Sequence, residues 1–305
     1  MIYKKHLKKD LKEIDGIDQL ELTDQIARKV SKFYTSNPFP NYKENDDKIS
    51  ISQRGNNNFL ASQFKRYVGY DKKILEVGCG TGQLSVYFSI GNNNLIVAMD
   101  ATLESLIVAE KFSRKNSINN ISFLNADIFE DVLQDEYFDF IWCNGVLHHT
   151  KNPYEAFKVV SKSLKKKGYI LVGLYNKFGR LRTLIRRFLY KIFGIKVLKI
   201  LDPTLRKLKI SKVEQNAWIQ DQYEHPQESL HTIDEVMSWF KKNNIDFISS
   251  IPSSDFNDDD EYEDIFMKKK TGSYLQRLLN QIFMIFRQLG SDGGLFVVVG
   301  RKKNV

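Results

Sequence analysis

The chain is 305 residues long and 42% hydrophobic, with two cysteines and a formal net charge of +9. Those values exclude a disordered segment and a disulfide-stapled scaffold. No apolar run reaches the roughly 18 residues of a bilayer span, and the charged start MIYKKHLKKDLKEIDG is unlike a signal peptide, so a cytoplasmic protein is expected.

Residues 18–36 read as an amphipathic helix, with Leu22, Ile26, Val30 and Phe33 at helical spacing, running into the proline turn SNPFPNY at 36–42. The polar stretch 43–58 reads as a loop and 59–69 as a helix. Strands KILEVG (73–78), NLIVAMD (94–100), ISFLNAD (121–127), FDFIWCN (138–144) and YILVGLY (169–175) then alternate with helices over about 82–90, 102–116 and 153–166. In the last of these, Asn152, Pro153 and Glu155 read as N-cap, first-turn proline and third-position acid. This alternation predicts a parallel sheet covered on both faces. After Tyr175 it breaks for about fifty residues. It resumes with a helix started by Thr232 and Glu235, a strand DFISSI (246–251), an acidic loop at 255–264, an apolar helix at 273–289 and a final strand LFVVVGR (295–301).

Chemistry concentrates in ILEVGCGTGQ (74–83). Gly78, Gly80 and Gly82 follow a strand and open a helix, where a ligand meets bare backbone amides. The spacing is G-x-G-x-G, with Gln83 where a dinucleotide fingerprint has Gly or Ala. Glu76 beside the loop would repel a pyrophosphate and suit a ligand with ammonium and sulfonium charges. A plain tight turn is the alternative. Asp100 ends the second strand, with Ala101 beside it, where an acid can take both ribose hydroxyls. Asp127 and Ile128 end the third and can address an adenine amino group and ring face, while Asn144 and Gly145 end the fourth. Each acid alone could merely cap a helix; together they mark the carboxyl edge where open α/β sheets bind ligands.

The segments LEVGCGTGQLS, VAMDAT, NADIF, FDFIWCNGVLHHTKNPYEAF and LKKKGYILV resemble the class I S-adenosylmethionine-dependent methyltransferases, within them the type 11 and quinone-biosynthesis branch. The resemblance covers about 70–176 strongly and 231–301 more loosely. It implies a Rossmann-like, doubly wound, seven-stranded sheet, mostly parallel with an antiparallel last strand. It also implies S-adenosyl-L-methionine as cofactor, with Glu76, Gly78 and Gly80 at its methionine portion, Asp100 at its ribose, and Asp127 and Ile128 at its adenine. Where the family often has KPGG before the fifth strand, this chain has KKKG.

The organisation expected is an N-terminal helical cap (1–58), a cofactor-binding core (59–176), a basic and apolar substrate lid (177–230), and the rest of the core (231–305) with an insertion at 252–293. His148 and His149 could be a metal pair, a general base or packing. Adjacent side chains diverge, which disfavours a metal. Tyr223 and His225, on the loop that leads out of the lid, are further candidates for acceptor contact or base. Tyr34, Phe39 and Tyr42 either close over the cofactor or anchor the cap. The charge gathers in the lid: residues 177–213 hold twelve Lys/Arg against the single acid Asp202. Mixed with large aliphatics, that segment reads as a solvated lid face, or as a peripheral membrane contact through Arg182, Arg186 and Arg187. An RNA-binding patch is a third reading of that segment, disfavoured by its many large aliphatics; DNA-base methylation is disfavoured because NGVL stands where amino-methylating DNA enzymes carry NPPY or DPPY. The acceptor expected is a small or lipid-like molecule. RNA or protein methylation, or a cofactor-binding scaffold without catalysis, are the alternatives.

Overall fold

A computed structural model describes residues 5–35, 38–206, 212–255, 264–286 and 293–304. The prolines' neighbour Asn37, the basic Lys207 and Lys209, nearly all of the acidic loop at 255–264 and the end of the helix expected at 273–289 lie outside the described residues.

A hairpin, β1 (Lys12–Ile14) and β2 (Ile17–Gln19), precedes helices α1 (Gln25–Thr35), α2 (Lys48–Asn56) and α3 (Phe59–Val68). Next come β3 (Lys73–Val77), α4 (Gln83–Ser89), β4 (Leu95–Asp100), α5 (Leu103–Lys115), β5 (Ile121–Asn125), β6 (Phe138–Asn144), α6 (Pro153–Lys162) and β7 (Leu164–Tyr175). Helices α7 (Leu181–Phe193), α8 (Ile195–Leu201) and α9 (Lys212–Ile219) and a π-helical turn at Gln220–Glu224 intervene. The chain returns to the sheet through α10 (Ile233–Lys242), β8 (Ile245–Ile251), α11 (Tyr274–Phe283) and β9 (Leu295–Lys302).

One sheet of nine strands runs in the order β1-β2-β5-β4-β3-β6-β7-β9-β8. Its centre is parallel, and β9 is antiparallel to both β7 and β8, pairing Tyr175 with Leu295 and Ile251 with Val297. Two strands exceed the expected seven, and Asp18 and Gln19, the start of the helix expected over 18–36, belong to strand β2, the helix itself beginning at Gln25. The cause is a two-residue hairpin: Asp15 and Gly16 both adopt positive φ (51° and 80°), the primed-turn geometry that an Asp-Gly pair favours. β2 then extends the sheet alongside β5, with Ile17 opposite Phe123. The polar stretch expected as a loop also holds α2. There Asp47 accepts the N–H groups of Ile49 and Ser50, and the Ser50 hydroxyl accepts the Asp47 N–H, a capping box with serine in the place of the usual glutamate.

Both faces of the sheet are covered. Along β3, Ile74 packs with Phe64, Phe88 and Trp142, while its neighbour Leu75 packs on the other face with Ile141, Phe157 and Phe296. This leaves the carboxyl ends of the central strands as the open edge. Asn152 caps α6 as expected, its side chain accepting the Glu155 N–H at 3.2 Å. Thr232 likewise accepts the Glu235 N–H, but the Glu235 carboxylate turns to His231 instead of closing the box.

Candidate active site

β3 ends at Val77, and the glycine loop turns the chain into α4. Gly78 and Gly80 have φ of +67° and +54°, where a side chain would be strained. A Cβ on Gly78 would stand 2.3 Å from Val146, and one on Gly80 would stand 2.1 Å from the Phe39 carbonyl. The backbone is therefore bare where β3, β6 and the N-terminal segment converge. A cleft of about 500 Å³ opens there.

Three carboxyl groups line it at the strand ends. Glu76 is buried, accepts the Ser85 hydroxyl, and is pushed up to about 8 by burial, with Asp100 adding to the rise. Asp100 accepts the Gly80 N–H at 2.8 Å and the Thr102 N–H at 2.7 Å, one on each oxygen, and burial raises it. Asp127 accepts the Phe129 N–H at 3.1 Å and is likewise raised by burial. Ala101, Ile128 and Gly145 line the same wall. So does Asn144, whose buried Oδ1 has no hydrogen-bond partner. Gly82 does not line the cleft; it starts α4, and its face meets Ala109 of α5.

The two histidines part company. His149 lines the cleft. Its Nδ1 lies 2.7 Å from the Gln227 carbonyl, an acceptor only, so Nδ1 carries the proton and Nε2 keeps the lone pair. Burial pushes its pKa down to about 4, so the ring is neutral at physiological pH. His148 lies behind the wall, fully buried and stacked on Tyr175 at 4.1 Å, with its Nδ1 accepting the Tyr175 N–H. Tyr223 and His225 also lie outside the lining. The Tyr223 hydroxyl donates to Asp202 inside a small apolar lid core with Leu198, Leu205 and Ile219. His225 stacks on His149 at 3.6 Å and supports it from behind. Among the described residues no group of His, Cys, Asp or Glu is arranged to hold a metal ion.

The N-terminal segment and the 177–230 segment, expected as a lid, complete the enclosure. Phe39 and Tyr34 line the cleft, whereas Tyr42 stacks on Phe112 at 4.1 Å and donates to the Thr81 carbonyl, anchoring the segment to the glycine loop. Gln83 donates to the carbonyls of Pro40 and Asn41. From the lid come Trp218, Asp221 and Gln222. The Tyr34 hydroxyl donates to Asp221 at 2.9 Å, and Gln222 bridges Asp221 and the Tyr175 hydroxyl. Beneath this lies Arg180, fully buried, 3.7 Å over the Tyr175 ring and paired with Glu228. Arg54, which donates to Gln83 and Asp46, lines the glycine-loop end. Sequence reading singled out neither Arg54 nor Tyr175 as a site residue: Arg54 stands in the polar stretch read as a loop, and Tyr175 ends the fifth strand, whose place beside the cleft only the sheet order shows.

A family model described as a methyltransferase domain matches residues 70–282. The chain belongs to the class I S-adenosylmethionine-dependent methyltransferases. It is similar to the ubiquinone biosynthesis O-methyltransferase of Glaesserella parasuis serovar 5, 30% identical over 122 residues, covering 38% of this chain and 50% of that protein. The chain spans about half the length of the curated relatives it matches first. In fold it is similar to PKMT2 from Rickettsia typhi, with a TM-score of 0.58, 14% identity, and coverage of 81% of this chain and 53% of that one. The same protein in complex with AdoHcy matches with a TM-score of 0.55, again at 14% identity and with the same coverage. The methyltransferase cofactor, S-adenosylmethionine, suits this donor set. A cleft lined by the bare backbone of Gly78 and Gly80, a protonated Glu76 that a cation would ionise and second lone pairs on Asp100 match an ammonium and a ribose diol.

Proposed function

We propose that this methyltransferase moves the methyl group of S-adenosylmethionine to a small-molecule or lipid-like acceptor held beneath the 177–230 lid. The observation that carries the reading is one continuous cleft with buried carboxyls at its glycine end and the neutral imidazole of His149 at its lid end. In this reading Glu76 takes the ammonium, Asp100 the ribose hydroxyls, and Asp127 with Ile128 the adenine. The bound cofactor supplies an electrophilic methyl on a sulfonium, open to in-line attack by an aligned nucleophile.

His149 Nε2 accepts a hydrogen bond from the acceptor's hydroxyl and orients an oxygen lone pair. With a pKa near 4 it is a weak base, which suits an acceptor whose own hydroxyl is acidic. Tyr175, Trp218 and Tyr34 give that end aromatic walls, and Asp221 with Gln222 gives it polar contacts. The cations lining the cleft, Arg54 and Lys151, are each paired with an acid, Asp46 and Asp24. That supports a small acceptor over a polyanionic RNA. The similarity to a ubiquinone-biosynthesis O-methyltransferase supports an oxygen acceptor on a lipid-like molecule. Such an acceptor is met at a membrane, and we assign peripheral contact to the lid.

Labelled S-adenosylmethionine incubated with the protein and with lipid and metabolite extracts should place label in a small-molecule or organic-phase fraction. His149→Ala should lower the rate by about 100-fold or more. Label in protein or RNA, or no transfer despite cofactor binding, would contradict the proposal.

A further inference from the structure

Helix α7 is two-faced. Its inner side holds Thr183 and Arg186, both buried, and Arg187 and Tyr190, which bond to Glu228 and Glu224. These contacts correct the expectation of an outward Arg186 and Arg187, which face the protein. On the opposite side Leu181, Ile185, Phe188 and Ile192 recur every three or four residues as one stripe, and Phe188 is 63% exposed. Arg182 and Lys191 flank the stripe, each about a quarter-turn to one side, and both are exposed. The helix ends in Lys191-Ile192-Phe193-Gly194-Ile195-Lys196, six consecutive exposed residues, with Phe193 63% exposed. Near the start of α7, Arg182 reaches the Ile285 carbonyl, and the exposed Phe283 and Phe286 continue the apolar surface.

Over 177–206 the single acid, Asp202, is buried, so every exposed charge there is positive. Apolar side chains standing in water, bordered by cations without acids, match a layer with negative headgroups above hydrocarbon. Nucleic acid would satisfy the cations and leave Phe188, Ile192 and Phe193 in water. A second copy would have to place like-charged rims together.

We infer that the outer face of α7, with the 191–196 tip and Phe283 and Phe286 beside it, docks the protein on an anionic lipid surface. The tip enters the headgroup region and the lid faces the bilayer. This rests on the reading that the acceptor is lipid-like, and it explains why the lid, not the core, carries the charge.

The full-length protein should co-sediment with vesicles of phosphatidylglycerol and phosphatidylcholine, at least tenfold more than with phosphatidylcholine alone. Lys191→Glu/Lys196→Glu should reduce binding by about tenfold or more, each lysine near an anionic leaflet contributing about fivefold. Ile192→Ser/Phe193→Ser should reduce it comparably. The control Lys111→Glu/Lys115→Glu, equal in charge but on α5, should stay within about twofold. All six sites are exposed, and calorimetry with S-adenosylmethionine should be unchanged in every variant, which separates failure of docking from failure of the proposed function. The inference is overturned by wild-type protein left in the supernatant with anionic vesicles, or by tip variants that bind equally. It is also overturned by binding to an RNA homopolymer without vesicle binding, or by a dimer in light scattering that the tip variants dissolve.

Discussion

Burial holds the Glu76 carboxyl protonated at neutral pH, and a cation arriving beside it reverses that preference. Cofactor binding should therefore release a proton. Calorimetry at pH 7 in two buffers of different ionisation enthalpy should report release approaching one proton, declining toward pH 9, where Glu76 is already ionised. Glu76→Gln should abolish the release and weaken binding. The same residue has a stability signature. Its folded pKa, near 8, lies above the ordinary 4.5, so the folded state resists ionisation and stability falls as pH rises from about 4.5 to 8. Glu76→Gln removes that fall, and at pH 9 the variant should be the more stable by about 5 kcal/mol in thermal or denaturant melts. Equal melting of the two proteins at pH 9 would contradict this. Glu76 was legible in the sequence because it stands two residues before a glycine loop; its protonation comes from burial by elements from across the chain, against the Ser85 hydrogen bond, which favours the ionised form.

At the scale of elements, a hydrogen bond from Tyr34 to Asp221 joins α1 to the 177–230 segment across the cleft mouth, beside the ring contacts of Phe33 and Tyr34 with His225. Tyr34→Phe keeps the ring packed against Phe33 and His225 and removes only the hydroxyl. Hydrogen exchange should then rise in 25–35 and 220–224 with the central strands unchanged, and cofactor affinity should fall about five- to tenfold. Unchanged exchange in both segments would show that the bond does not hold them together. The strand and helix alternation from β3 to β7 was readable because each element repeats its own hydrophobic period. The hairpin β1–β2 was not, because three-residue strands show no period, and only the Asp15-Gly16 pair marked them. Helix α2 was hidden by polar composition although Asp47 and Ser50 spelled its cap. The KKKG stretch, expected before the fifth strand, lies within β7, with Lys167 at a φ of +64° taking the local irregularity.

Over the whole molecule, acids and cations are divided by task. The acids at the strand ends that line the cleft, Glu76 and Asp127 buried and Asp100 half-buried, lie apart in sequence from the exposed cations of 177–206, of which Arg182 and Lys191 flank the outer face of α7. Topology makes that division possible: the crossovers deliver the strand ends to one edge, and β9, antiparallel to β7, lets the chain leave after Tyr175, build the lid and return. Among the described residues no helix is long and apolar enough to cross a membrane. That Glu76, Asp100 and Asp127 come together beside the glycine loop was legible from the glycine spacing and the acids after it; the architecture of 177–230 was not, because its buried Arg180–Glu228 pair joins residues 48 apart. The central claim is that this edge binds S-adenosylmethionine. Calorimetry of the intact protein with that compound should give a single saturable site, which Asp100→Ala weakens by at least tenfold while the fold, followed by circular dichroism, persists. Absence of binding in the intact protein, or unchanged affinity in the variant, would contradict it.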